Sequence, residues 1–203
     1  MPHDVKECMS WTVQQLEDAK PRLVGARRDD RPVIVFLDGS CEPEGTFVGG
    51  VMFHPSAGVQ CFGMQVPDEI VDSWKSSMHQ TQVIGQAEIF PAILARWTWS
   101  EELANQRIIF FIDNDSARLA LIKAYSPVLP SLNLIMHGLR WDQSNSASVW
   151  YSRVPTLSNI ADGPSRFKIP DELRQYNPKI VRPKLDLQFS KSMKVRMENL
   201  RGL

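Results

Sequence analysis

At 203 residues, with 43% hydrophobic and 23% charged side chains, the chain has the size and composition of one soluble globular domain with a substantial core and appended ends. No apolar run approaches the roughly 20 residues that cross a bilayer, and the opening MPHDVKECMS has neither the cationic start nor the apolar stretch of a signal peptide. An intracellular setting, cytoplasmic or nuclear, is therefore expected. The formal net charge of zero hides an asymmetry: residues 167–203 carry nine Lys and Arg against four acids, and residues 1–166 carry fourteen against nineteen. Such a pattern suits an acidic body that gathers cations and a basic tail that meets an anionic polymer, although a merely solvated tail has the same composition. Cys8, Cys41 and Cys61 are few, odd in number and not at metal-ligand spacing, so they read as free thiols.

In chain order, residues 5–20 place Val5, Met9, Val13 and Leu16 near helical spacing and predict a short amphipathic helix ended by Pro21. The polar GARRDDRP of residues 25–32 reads as a linker. Val33–Leu37 is an apolar, β-branched run and predicts a buried strand; it ends on Asp38, Gly39 and Ser40. Asp38-Gly39 fits a turn and equally fits a carboxylate held at a rigid strand end. Residues 41–45 read as a turn, 46–54 as a second strand with Gly49-Gly50 marking a bulge or a close backbone approach, and 58–66 as a third. Short connections make these three an antiparallel meander.

Residues 83–99 have a helical apolar face, with Glu88 near the start and Pro91 where a helix would begin late or kink. Residues 107–113, RIIFFID, form a second buried-strand signature ending on an acid. Residues 116–125 and 129–141 read as helices and 148–154 as a strand ended by Pro155. Ser158 is placed to cap a short helix bearing Asn159, Ala161 and Asp162. Asp115 reads as the start of a helix, and Trp97, Trp99 and Trp141 as core. Beyond Phe167, Pro170, Pro178 and Pro183 predict an extended tail. The expected organisation is an N-terminal helix and linker (1–31), a domain (32–167) and a basic tail (168–203). The fold class expected is mixed α/β, with three antiparallel strands, then two parallel ones, and helices on both faces.

Two buried strands that each end in aspartate bring Asp38 and Asp113 to one sheet edge if the strands lie parallel and adjacent. Glu88 and Asp162 can converge there. Like charges at about 4 Å cost about 4 kcal/mol per pair at an effective dielectric near 20. Divalent cations resolve that conflict, and all-oxygen ligation selects Mg²⁺ or Mn²⁺.

These segments carry a resemblance. FLDGS with the downstream Gly49-Gly50, then IGQAE, FIDNDSA and RVPTLSNIADGPSR, resemble in order the four acidic motifs of a ribonuclease H domain, and the last is most similar to those of retroelement reverse transcriptases. The resemblance runs from about Val33 to Arg166. It implies a five-stranded ribonuclease H-like sheet and an endoribonuclease that cleaves the RNA strand of RNA–DNA hybrids. Asp38, Glu88, Asp113 and Asp162 would be the catalytic metal ligands for two Mg²⁺ ions, replaceable by Mn²⁺. Ser40 and Asn114 would face the hybrid's minor groove, and Arg153 and Arg166 its phosphates. A reverse transcriptase polymerase domain is the protein partner implied. The segment 148–161 lacks the histidine often found there in the family, and no basic helix-loop insertion precedes Asp162. Those departures motivate a second expectation, an inactive scaffold of the same fold that positions nucleic acid or a polymerase. Proofreading exonucleases and transposases fit less well, because Asp38 is followed by Gly39-Ser40 rather than opening an Asp-x-Glu pattern and the last acid is Asp162 rather than Glu.

Overall fold

The computed structural model describes residues 3–18, 31–78 and 82–185, in two compact units, Met1–Asp30 and Arg31–Leu203. The first unit holds helix α1 (His3–Asp18), on which Met9, Val13 and Leu16 are exposed. The linker expected at 25–32 lies almost wholly outside the described residues. Among the described residues, no helix is long and apolar enough to cross a membrane.

The second unit is built on one sheet of order β5-β4-β1-β2-β3-β6. Strands β1 (Val33–Glu42), β2 (Gly45–His54) and β3 (Gly58–Gln65) form the antiparallel meander. Strands β4 (Arg107–Ile112) and β5 (Ser148–Arg153) follow in parallel. A sixth strand, β6 (Lys179–Ile180), joins where five were expected: Lys179 pairs with Gln60 and Ile180 with Cys61 of β3. Two extended residues between Pro178 and Pro183 leave no periodic signal, yet they suffice to pair the edge of β3.

The turn at Asp38-Gly39 does not exist. Strand β1 runs on to Glu42, and the reversal is confined to Pro43 and Glu44. The physical reason is one-sided pairing. Parallel contact with β4 is complete at Phe36↔Phe111, whereas β2 accompanies β1 residue by residue through Asp38↔Gly49 to Glu42↔Gly45. Beyond Phe36 one edge of β1 is therefore hydrogen-bonded and the other is open.

Alternation along β1 sends Val33, Val35 and Leu37 to one face with Val48, Met52 and Phe62, beneath α2 (Asp68–Met78), α3 (Ile84–Thr98), α5 (Asp115–Lys123) and α6 (Leu129–Ser144). Trp74, Phe90, Ile93, Leu94 and Trp99 fill this main core; the four-residue α4 (Ser100–Leu103) follows α3. On the other face α7 (Asp162–Ser165) and α8 (Asp171–Arg174) cover β2 and β3, with Ala161 and Leu173 packed on Val51 and Cys61. Gly49 and Gly63 permit this approach, since a Cβ on either would overlap the α7 backbone at Ser165 or Pro164. Ser158 caps nothing. It closes a 3₁₀ turn at Thr156–Ser158, and α7 starts only at Asp162 with no side-chain cap. Asn159 does the stitching instead: its amide donates to the Leu37 carbonyl at 2.9 Å while its Oδ1 accepts from the Ala161 N–H at 3.2 Å.

Helix α3 runs unbroken through Pro91. Proline has no N–H to give the Ala87 carbonyl one turn earlier, and Gly39 lies against that carbonyl, where any Cβ would collide with it. The same helix is anchored by Arg96, which is fully buried. Its Nε and Nη2 donate to Asp142 of α6 at 2.8 Å, Nη2 also to the Tyr151 hydroxyl of β5 at 2.8 Å, and Nη1 to the Ala92 carbonyl. The guanidinium sits 4.7 Å above the Phe110 ring. Four hydrogen bonds, two of them to a carboxylate, meet the condition under which a buried charge is tolerable.

Candidate functional site

The parallel register aligns Val33 with Ile108 and Phe36 with Phe111. Continued at the same offset it carries Asp38 onto Asp113, one residue past the end of β4. Both lie on the side of the sheet where Phe36 and Phe111 stack with centroids 4.9 Å apart. An alternating strand pattern thus turns two apolar rows into a pair of adjacent carboxylates as β4 gives out. Glu88 enters from the second turn of α3, whose backbone reaches β1 through the close contact at Gly39. Asp162 stands at the first residue of α7, on the rim.

Asp38 is 7% exposed. Its Oδ2 accepts from the Ser165 hydroxyl at 2.6 Å, and the Asn159 amide lies 3.5 Å from Oδ1. Burial raises the Asp38 pKa; the Ser165 hydrogen bond opposes the rise, the charges of Asp113 and Asp162 add to it, and Arg166 opposes it. Glu88 is pushed up to about 8, first by burial and then by the negative charges of Asp38 and Asp113, with a side-chain bond from Asn114 working the other way. Glu88 Oε2 and Asp113 Oδ1 are buried without a hydrogen-bond partner. Buried polar atoms are ordinarily satisfied, so two orphaned carboxylate oxygens in a set of mutually repelling acids leave room for a cation. Oxygen donors of this kind fit Mg²⁺ or Mn²⁺ better than softer metals.

The acids are brought within electrostatic reach of one another without being drawn into a closed cage. Among the described residues, no group of three or more His, Cys, Asp or Glu is set at metal-ligand spacing. Asp162 in particular is engaged elsewhere. Its side chain is half exposed and its Oδ1 accepts from Arg166 Nε at 3.1 Å, while Arg166 Nη1 donates to Glu42 at 3.0 Å.

The remaining expected residues are also placed. Ser40 shares the β1 face of Asp38, and its hydroxyl is buried without a partner. Asn114 caps α5, accepting from the Ala117 N–H at 3.0 Å. Arg153 is exposed and lies 3.5 Å from Asp115, which also pairs with Arg118. Three residues of the site were missed in the sequence: Ser165 and Asn159, which hold Asp38, and Glu42, which holds Arg166. The only sequence signal for Ser165 is its position three residues after Asp162, one turn of helix.

No family model matches the chain, and no curated protein matches it. Solved structures do. RNase H1 from the halophilic archaeon Halobacterium salinarum NRC-1 aligns with a TM-score of 0.51 at 17% identity, over 66% of this chain and 94% of that one. The N-terminal RNase H domain of a Mycobacterium tuberculosis protein aligns at 0.44 and 15% identity, over 70% and 96%. LC11-RNase H1, isolated from compost by a metagenomic approach, aligns at 0.45 and 12% identity, over 68% and 95%. The archaeal match, together with the mixed sheet and its helices on both faces, establishes that the chain has a ribonuclease H-like fold.

Proposed function

We propose that the chain is a metal-dependent endoribonuclease that hydrolyses the RNA strand of RNA–DNA hybrids. The observation that carries this reading is that the β1–β4 register leads Asp38 and Asp113 to one sheet edge with Glu88 within electrostatic reach of both, two of the three presenting an orphaned buried oxygen. A fold shared with a protein named RNase H1 supports it.

In this reading Asp38, Glu88, Asp113 and Asp162 hold two Mg²⁺ ions, for which Mn²⁺ substitutes. When bound, such ions supply an activated water and charge stabilisation at the leaving oxygen of a phosphodiester. The protein's own contributions are positional. Ser165 and Asn159 fix the rotamer of Asp38 from below. Glu88 must give up its proton on binding a cation; burial is the main reason its pKa is raised, and the negative charges of Asp38 and Asp113 that add to the rise are ones a cation neutralises. Ser40 and Asn114 flank the acids, positions from which a 2′-hydroxyl distinguishes RNA from DNA. Arg153 and Arg166 lie exposed at the rim, where phosphates would pass. The resemblance of residues 153–166 to retroelement reverse transcriptases supports a polymerase domain as a fused or bound partner, which the mass of the natural protein tests.

Pairing of Asp162 with Arg166 also favours a second reading, a scaffold that binds hybrid without cutting it. An end-labelled hybrid in Mg²⁺ or Mn²⁺ separates the two. Internal shortening of the RNA strand, with duplex DNA untouched, supports the nuclease; tight hybrid binding with intact RNA at every enzyme concentration supports the scaffold.

A further inference from the structure

Arg166 closes α7 and reaches in two directions with one planar group. Its Nε donates to Asp162 Oδ1 at 3.1 Å and its Nη1 to Glu42 Oε1 at 3.0 Å. Glu42 is the last residue of β1, four beyond Asp38 and on the same strand face. Asp162 and Arg166 both act electrostatically on Asp38, with opposite sign. The guanidinium therefore sets a positive charge between Asp162 and Glu42, within electrostatic reach of Asp38. Both ion pairs are open to solvent, the side chains of Arg166, Asp162 and Glu42 being 48%, 51% and 38% exposed. Exposed pairs of this kind are weak, so the contact opens readily. A guanidinium fork matches a phosphate as well as it matches a carboxylate.

We propose that Arg166 is a latch: in the free protein it holds Asp162 out of the acidic cluster, and the phosphate backbone of a seated hybrid draws it away, freeing Asp162 for a divalent ion. The inference rests on the nuclease reading above and adds an order of events to it, in which the metal site is completed only after substrate has arrived. Linkage makes the coupling reciprocal: hybrid raises metal affinity by the factor by which metal raises hybrid affinity. Arg166 acts through Asp162 and Glu42 and is a positioning residue.

The test is Mn²⁺ binding to the full chain, read from the free-ion paramagnetic resonance signal, with and without a hybrid whose RNA strand is 2′-O-methylated to prevent turnover. Hybrid affinity is measured separately in chelator. Wild type is expected to gain about two- to fivefold in Mn²⁺ affinity on adding hybrid, the range available from releasing one exposed ion pair. Arg166→Lys keeps the charge but loses the fork, and is expected to begin at the raised affinity and to gain little from hybrid, as Arg166→Ala does. A mere effect of net charge instead leaves Arg166→Lys at the wild-type value in both states, and that result overturns the latch while leaving the nuclease reading intact. Wild type that binds neither Mn²⁺ nor hybrid overturns both.

Discussion

Replacing Glu88 with glutamine tests the electrostatics of the site without touching its shape. A carboxyl whose ordinary pKa is 4.5 is pushed up to about 8 in the folded protein. The folded state therefore binds more protons than the unfolded chain between those two values, and stability falls as pH rises through that window. At about 1.36 kcal/mol for each pH unit of separation, the loss reaches a ceiling of about 5 kcal/mol by pH 8.5. A domain of ordinary stability has about 5–15 kcal/mol in total, so the effect is large. Glutamine imitates the protonated carboxyl at every pH. In urea denaturation with chelator present, Glu88→Gln is expected to match wild type near pH 5 and to exceed it by several kcal/mol at pH 8.5. Asp38, raised in the same direction, leaves the variant a smaller residual slope. Adding Mg²⁺ or Mn²⁺ at pH 8.5 is expected to restore wild type and to do little for the variant. Parallel pH dependences for the two proteins would refute the argument.

Two further perturbations address the frame of the site. Arg96→Met leaves Asp142 without its partner in a mostly buried place and is expected to cost about 3–5 kcal/mol, measured by denaturant unfolding. Ser165→Ala removes the donor from Asp38 Oδ2, with an expected loss of about 1–3 kcal/mol for the unsatisfied acceptor. The Asp38 pKa moves further up in that variant, so the acidic limb of the pH–rate profile for hybrid cleavage shifts to higher pH, and Ser165→Thr restores it.

Much of the site was legible because its chemistry is local to strand ends. Val33–Leu37 and Arg107–Ile112 are nearly continuous apolar runs, the acid that follows each is visible in the sequence, and the two strands pair in parallel up to Phe36 and Phe111, two residues before those acids. The passage of β1 beyond Asp38 was not legible. Gly39 and Glu42 are poor strand formers and Ser40 and Cys41 add no apolar alternation, so it is the partner β2 that keeps the segment extended. Helix α2 was overlooked although Ile70, Val71 and Trp74 stand at helical spacing behind acidic Asp68 and Glu69. The bonds that most affect the acids join residues far apart in the chain: Ser165 to Asp38 across 127 positions, and Arg166 to Glu42 across 124. Periodicity and spacing report neighbours along an element, and such pairs exist only once the second face of the sheet has been covered.

Asp113 decides the central claim. It takes part in no hydrogen bond through its buried Oδ1, so Asp113→Asn preserves the fold while removing the charge that a divalent ion would meet. The measurement is cleavage of a labelled RNA–DNA hybrid in Mg²⁺ by wild type and by Asp113→Asn, with hybrid binding followed in parallel. The account predicts internal cuts in the RNA strand by wild type, none by the variant, and hybrid binding by both. Equal cleavage by the two proteins, or none by wild type while it binds hybrid and metal, would contradict it.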